Sequence, residues 1–226
     1  MSERELKSEV FEQLAVVAKA LSNGKRLELI EFLAQGEQPV ESLARLARLG
    51  VTSVSSHLQV LKRAGLVRTR RDKTTINYRL AGEDVAALSS LISKVASSRV
   101  PEVERAWHAY LETGNNELPP PAQIDRSHLI AHLHSGDATV LDVRPSNEFD
   151  AGHVPGAISI PLAELSSRIG ELPPGTPVVV YCRGRFCKMA RDAAQLLNRR
   201  GIDASAMDEG VLEWRASGEI TLDATA

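Results

Sequence analysis

Val178-Val-Val-Tyr-Cys-Arg-Gly-Arg-Phe-Cys-Lys-Met-Ala190 holds both cysteines of a 226-residue chain, Cys182 and Cys187. The run Val178 to Tyr181 reads as a buried strand, followed by a glycine-containing loop and a helix that begins near Cys187 and continues to Arg200. Cys182 then sits at the strand's carboxyl end, beneath a helix's amino end. Backbone N–H groups that converge in such a loop, together with the positive end of the helix dipole, stabilise a thiolate. Arg183, Arg185 and Lys188 add positive charge, and Gly184 lets the backbone turn tightly. The expectation is a lowered thiol pKa and a nucleophilic Cys182. A free cysteine is otherwise a small buried hydrophobe. A structural zinc is not expected, since two cysteines at this separation lack the further ligands it needs.

Outward from this stretch, strands alternate with helices. A helix capped by Asp125 or Ser127 runs to about His134, and strands follow at Thr139 to Val143 and Ala157 to Ile160. A helix at Leu162 to Ile169 precedes the central strand. A strand at Asp203 to Met207 and a helix at Glu209 to Arg215 come after it. This order predicts an α/β domain over residues 124–226, a mostly parallel sheet with helices on both faces. Ligands bind such sheets beyond the strand carboxyl ends, where Cys182 falls.

Ahead of it, Gly114-Asn-Asn-Glu-Leu-Pro-Pro-Pro-Ala122 reads as a stiff polar linker, taken as residues 114–123. Residues 1–113 form a second, mainly α domain. Helices are expected from Glu5 to Leu21, Lys25 to Ala34, Val40 to Ala47 and Val54 to Ala64. The last two are joined through Gly50, with Thr52 or Ser53 as cap. Leu66 to Arg71 and Thr75 to Leu80 then make a hairpin, completing a winged helix-turn-helix. Glu83 to about Leu111 is a long helical pattern interrupted near Val100-Pro101. Its stripe of Leu88, Leu91, Ile92 and Val95, continued by Val103, Trp107 and Tyr110, predicts a homodimer surface shared with the first helix.

Net charge is −2, but residues 1–100 carry 16 Lys+Arg against 11 Asp+Glu, and residues 101–226 carry 11 against 18. Lys62, Arg63, Arg68, Arg70, Arg71, Lys73 and Arg79 concentrate the basic charge, the footprint of a nucleic-acid-binding module. Ser53, Ser55, Ser56, His57, Gln59 and Lys62 suit a helix whose side chains reach base edges in a major groove. Arg70, Arg71 and Lys73 at the wing tip suit phosphates or the minor groove. No apolar run is long enough to span a membrane, and the charged start is not a signal peptide. Two cysteines without an export signal point to a reducing cytoplasm.

Ala20-Leu-Ser-Asn-Gly-Lys-Arg-Leu27, Val54-Ser-Ser-His-Leu-Gln-Val-Leu61 and Ala64-Gly-Leu-Val67, in this order, resemble the ArsR family of winged-helix repressors. The resemblance implies a homodimer that binds double-stranded operator DNA at an inverted repeat and releases it on a chemical signal. Metal-sensing members place cysteines in the third helix or paired Asp and His ligands on the dimer helix. This chain has neither pattern, so no metal is expected. Leu141-Asp-Val-Arg144, Glu148-Phe149, Gly152-His-Val-Pro-Gly-Ala157, Ile160-Pro161, Tyr181-Cys-Arg-Gly184 and Glu209-Gly210 with Trp214 resemble the rhodanese domain. That resemblance implies a sulfurtransferase-like fold in which Cys182 accepts sulfane sulfur as a persulfide, with Asp142, Arg144 and His153 structural. The loop departs from the usual Cys-x-x-Gly-x-x-Ser, with Gly184 one position early and Cys187 in the serine region. The related phosphatase and arsenate reductase loop has an arginine where Lys188 stands.

Together these features predict a transcriptional repressor whose input is reactive sulfane sulfur, from thiosulfate or a polysulfide, with no cofactor. Cys182 attacks the donor, and Cys187 then closes a disulfide or sulfur-containing bridge. Two other readings stand beside it. One is a thiosulfate or polysulfide sulfurtransferase held on DNA by the winged helix. The other is a thiol sensor of oxidant or arsenite.

Overall fold

Residues 1–113 and 119–225 are described by a computed structural model. Of the expected linker, residues 114–118 lie outside the described residues. The chain divides into two compact units, Met1–Ser89 and Ser90–Ala226.

In the first unit α1 (Glu3–Leu21) starts with a capping box between Ser2 and Glu5, and Asn23 caps α2 (Gly24–Ala34) by accepting from the Arg26 N–H. Each cap satisfies backbone donors that the first turn leaves unpaired. The core is built from Leu29, Ile30, Leu43, Val54, Leu58 and Leu61, all fully buried. These residues lie on α2, α3 (Val40–Ala47) and α4 (Val51–Arg63). The α3–α4 turn differs from expectation. Arg48, not a glycine, takes the left-handed conformation at φ 51°, and Gly50 is the N-cap of α4, with no side-chain cap from Thr52 or Ser53. The hairpin pairs β2 (Val67–Asp72) with β3 (Thr75–Leu80), and its turn is made by Lys73 at φ 54° and Thr74. A two-residue strand β1 (Gln38–Pro39) joins the free edge of β3. The helix α5 (Glu83–Arg99) begins in this unit and runs past its boundary.

In the second unit α6 (Pro101–Leu111) starts afresh after Val100, with Pro101 in its first turn, where the missing N–H costs nothing. The sheet has the order β4-β8-β7-β5-β6, and every pairing in it is parallel. Its strands are β4 (Gln123–Ile124), β5 (Thr139–Asp142), β6 (Ile158–Ser159), β7 (Val178–Tyr181) and β8 (Ala204–Met207). The helices are α7 (Arg126–Ser135), α8 (Ser146–Ala151), α9 (Leu162–Arg168), α10 (Met189–Arg199) and α11 (Val211–Ser217). One core joins Leu165 of α9 and Ala193 and Leu197 of α10 to Leu141 and Val180. A second joins Leu129 of α7 and Trp214 of α11 to Val140, Val179 and Tyr181. Successive residues of a strand face opposite sides, so the unbroken apolar run of β7 feeds both cores and lies at the sheet's centre. The helix after the loop starts at Met189 with Lys188 as its N-cap, close to the expected start, so both cysteines belong to the loop.

Candidate functional site

In the first unit the basic face is carried by α4 and the hairpin. Ser53 and Ser56 are exposed on α4, Ser55, His57 and Gln59 are partly covered, and Lys62, Arg70, Arg71 and Lys73 are exposed. Several of these side chains already have partners. The Gln59 amide donates to the Tyr78 hydroxyl at 3.4 Å, and the Lys62 ammonium to Thr69 Oγ1 at 3.0 Å. Arg71 donates to its own turn at the Lys73 carbonyl, 3.0 Å. Arg70 is held by Glu37 at 2.6 Å, an ion pair that carries it back toward β1 and away from the tip. Two residues of the basic cluster outside the expected contact set stand out. Arg68 and Arg79 are exposed and directly opposite each other in register. Like charges opposite each other cost stability unless an anion lies against them.

In the second unit the loop 182–188 leaves the end of β7 and is clamped from several sides. The start of α11 holds it from one: the Cys182 carbonyl accepts from Val211 N at 3.3 Å, and the Arg183 carbonyl from Leu212 N at 2.9 Å. Gly210 permits this approach, because a Cβ there would lie 2.5 Å from Gly184 N and 2.7 Å from the Arg183 carbonyl carbon. The buried Glu213 accepts from Gly210 N at 2.9 Å and Arg185 N at 3.3 Å, and burial raises its pKa. Arg183 is locked bidentate on the buried Glu148 at 2.6–3.1 Å. Below the loop, Asp142 and Arg144 form a fully buried ion pair at 2.6 Å, and Arg144 also donates to the Gly152 carbonyl at 2.7 Å. His153 is taken up elsewhere: it stacks on Phe149 with ring centroids 3.7 Å apart and bridges Asp223 through the backbone.

The loop's remaining side chains meet α6. Phe186 packs edge-to-face on Trp107 with ring centroids 5.5 Å apart, and Arg185 pairs with Glu104 at 3.3 Å. Lys188 donates to the Thr113 carbonyl at 2.6 Å and lies over the Tyr110 ring. Trp107 and Tyr110, expected to extend the dimer stripe, therefore face the cysteine loop. Of the positive charges expected around the thiol, Arg183 and Lys188 serve as ties, while Arg185 borders a cavity.

The two sulfurs share one cradle. Backbone N–H groups of Ala190 and Gly184 point at Cys182, and those of Met189 and Arg183 at Cys187. The charge does not fall as the sequence suggests. Cys182 is 2% exposed, and burial, with the adjoining Cys187, pushes its thiol pKa well up. Its S–H reaches the Cys187 carbonyl at 3.2 Å. Cys187 is only partly buried, and its pKa is lowered to about 7, first by the hydrogen bond from Cys182 and then by the loop N–H groups. The expectation that the N–H cradle and nearby charge lower the Cys182 pKa is thus corrected: desolvation outweighs them, and the benefit passes to its neighbour. A cavity of about 150 Å³ opens beside Cys187, lined by Trp107, Gln123, Arg185, Arg191 and Asp208 among others; Cys182 does not line it. Arg191 and Glu213 carried no signal in the sequence, being brought to the loop by the packing of α10 and α11.

Comparison with known proteins covers both units. The arsR family of bacterial regulatory proteins matches residues 23–69, and the rhodanese-like domain matches residues 125–217. The HTH-type transcriptional regulator Rv0324 of Mycobacterium tuberculosis is 42% identical over 94% of this chain and 91% of its own length. The HTH-type transcriptional regulator KmtR of the same organism is 44% identical over 32% of this chain and 55% of its own. Among solved structures, the homodimeric winged helix-turn-helix domain Mb0332 of Mycobacterium bovis, fragment 1–100, is 45% identical. It covers 44% of this chain and 91% of that one, with a TM-score of 0.41. No helix among the described residues is long and apolar enough to cross a membrane.

Proposed function

From the premise that this chain belongs to the ArsR family of DNA-binding transcriptional regulators and carries a rhodanese-like domain behind its winged helix, we propose that it is a repressor whose input is reactive sulfane sulfur. The observation that carries this reading is the pair of cysteines held in one N–H cradle beyond the carboxyl end of the central strand, on a loop packed against α6. The pair takes up sulfur from a donor such as thiosulfate or a polysulfide and closes a Cys182–Cys187 bridge. Closing it pulls on Phe186 and Lys188, hence on Trp107, Tyr110 and Thr113, and strains α6 against its break at Val100.

The working form is a homodimer on an inverted-repeat operator. Leu6, Val10, Phe11 and Leu14 of α1, with Leu91 and Val95 of α5, are all more than half exposed, which supports these helices as the dimer surface. In a dimer, a change in α5 alters the spacing of the two α4 helices. A coupling of only ~1–3 kcal/mol changes operator affinity roughly 5–150-fold.

The test is operator binding by the reduced protein before and after an inorganic polysulfide, with intact mass of the same samples. The reading requires affinity to fall as sulfur is gained and the bridge forms. A Cys187→Ser protein that releases DNA with the parent's response removes the bridge from the mechanism. Sulfur uptake without any change in DNA binding, together with many turnovers onto cyanide, makes the domain a tethered sulfurtransferase instead.

A further inference from the structure

We infer that α6 is a lid on the cysteine loop: docked, it walls off the cavity beside Cys187 against bulky reactants, and its release admits them. The inference concerns access to the thiols, not the chemistry they perform, so it goes beyond the sensing of sulfane sulfur and stands whatever the donor. Its starting point is the break at Val100. A proline disfavours helical backbone in the residue before it, and Val100 is extended at φ −119°, ψ 96°. The helix after it is therefore not a rigid continuation of α5.

No residue of α6 is fully buried. What holds it is a flank of side chains three apart, Glu104, Trp107 and Tyr110, with Thr113 just beyond the helix. Each of them meets the loop. Glu104 pairs with Arg185 at 3.3 Å, and Trp107 packs edge-to-face on Phe186. The Lys188 ammonium lies 5.3 Å from the Tyr110 ring centroid and donates to the Thr113 carbonyl at 2.6 Å. These contacts are individually weak. The side chains of the Arg185–Glu104 pair are 47% and 35% exposed, so water and salt screen it, and single aromatic and cation–π contacts add little more. An element with few buried apolar contacts opens at low cost while the structure beneath it stays folded. The loop is the fixed partner, because α11, Glu213 and Glu148 hold it through backbone bonds and buried carboxylates.

What release changes follows from the cavity. Its volume is about 150 Å³, room for a few heavy atoms. Trp107 is the wall that α6 supplies, while the rest of the lining comes from the loop, the sheet, α10 and Asp208. When α6 lifts, that wall leaves with it, and the closed space becomes a cleft open to Cys187. Docked and released states therefore differ in the size of reactant they admit, and the Arg185–Glu104 pair makes the balance between them sensitive to salt.

The experiment treats the full, reduced chain with two neutral thiol reagents, compact iodoacetamide and bulky N-(1-pyrenyl)maleimide, and uses peptide maps to read the rate of each at Cys187. Fluorescence of Trp214, buried in the second core, checks that the sheet stays folded in each variant. Trp107→Ala should speed the bulky reagent roughly 5–30-fold and the compact one little. Because Trp107 is itself part of the wall, Glu104→Lys tests docking without touching the cavity. It sets two cations against each other and should speed the bulky reagent roughly 2–5-fold. Salt then separates the cases by sign: it should speed the bulky reagent in the parent by screening the attraction to Arg185, and slow it in Glu104→Lys by screening the repulsion. Equal acceleration of both reagents overturns the lid, since it reports a loosened loop. Acceleration in Trp107→Ala alone, with no effect of Glu104→Lys or of salt, overturns it too, since it reports only a widened wall. No sulfur donor enters these rates, so they are decided independently of the sulfane reading.

Discussion

Replacing Gly210 by alanine tests whether the cysteine loop is held by its contact with α11. The backbone at this position is extended, with φ −153°, so the substitution carries no conformational strain of its own. The cost is steric. The new Cβ would lie 2.5 Å from Gly184 N and 2.7 Å from the Arg183 carbonyl carbon, and closer still to the Cys182 carbonyl oxygen. Restoring ordinary contact requires the loop and the start of α11 to part by about 1 Å. The bonds from Val211 N to Cys182 O and from Leu212 N to Arg183 O, now 3.3 and 2.9 Å, then pass beyond hydrogen-bonding range. Losing the pair costs about 1–3 kcal/mol, and overpacking adds about 1–3 kcal/mol, for a mid-range loss of about 4 kcal/mol. Both tryptophans, Trp107 and Trp214, belong to the second unit, so fluorescence during urea unfolding reads that unit alone. A clear fall in its midpoint is expected, with faster alkylation of Cys182 as the cradle opens. A loss below about 1 kcal/mol, under the least that overpacking costs, with unchanged thiol reactivity, refutes the reasoning.

Other consequences follow from the same structure. Alkylation of Cys187 should rise with pH through a midpoint near 7 and fall about tenfold per unit below it, because the reactive thiolate is lost as pH drops; Cys182→Ala removes the largest cause of that lowering and should move the midpoint up. Arg144→Met leaves Asp142 charged and buried without a partner, and should cost about 3–5 kcal/mol in fluorescence-detected unfolding, with the double variant Asp142→Asn/Arg144→Met recovering part of it. Arg68→Gln should stabilise the hairpin by about 0.2–1 kcal/mol by relieving the opposed pair with Arg79, yet weaken DNA binding and reduce its salt slope by about 0.9; an unchanged slope takes Arg68 out of the interface.

Much of the architecture was readable from the chain itself, wherever a local pattern is long enough to carry it. The helical stripes of residues 1–113, the alternation after residue 123, the basic cluster and the position of a cysteine at the end of β7 are properties of neighbouring residues. The strands β1 and β4 were not readable. Each has two residues and, unlike the equally short β6 with Ala157 and Ile160 beside it, lies next to prolines or polar residues that hide any apolar run; each exists because a neighbouring edge offers it hydrogen bonds. The turn before α4 was misplaced for a similar reason. Thr52 and Ser53 are the better capping residues by type, but the chain path makes Gly50 the N-cap and starts α4 at Val51.

At the cysteine loop the division has a single physical cause. Sequence alone determined that two thiols, a glycine and several cations occupy one strand-to-helix loop. Which thiol ionises depends on desolvation and on donors supplied from afar, and these belong to packing. Val211 and Leu212 tie down the loop, Glu148 holds Arg183, and Trp107 and Arg191 border the cavity beside Cys187. None of these partners lies within the loop. The tertiary structure therefore decided that burial raises the Cys182 pKa, while the hydrogen bond from Cys182 and the loop N–H groups lower that of Cys187.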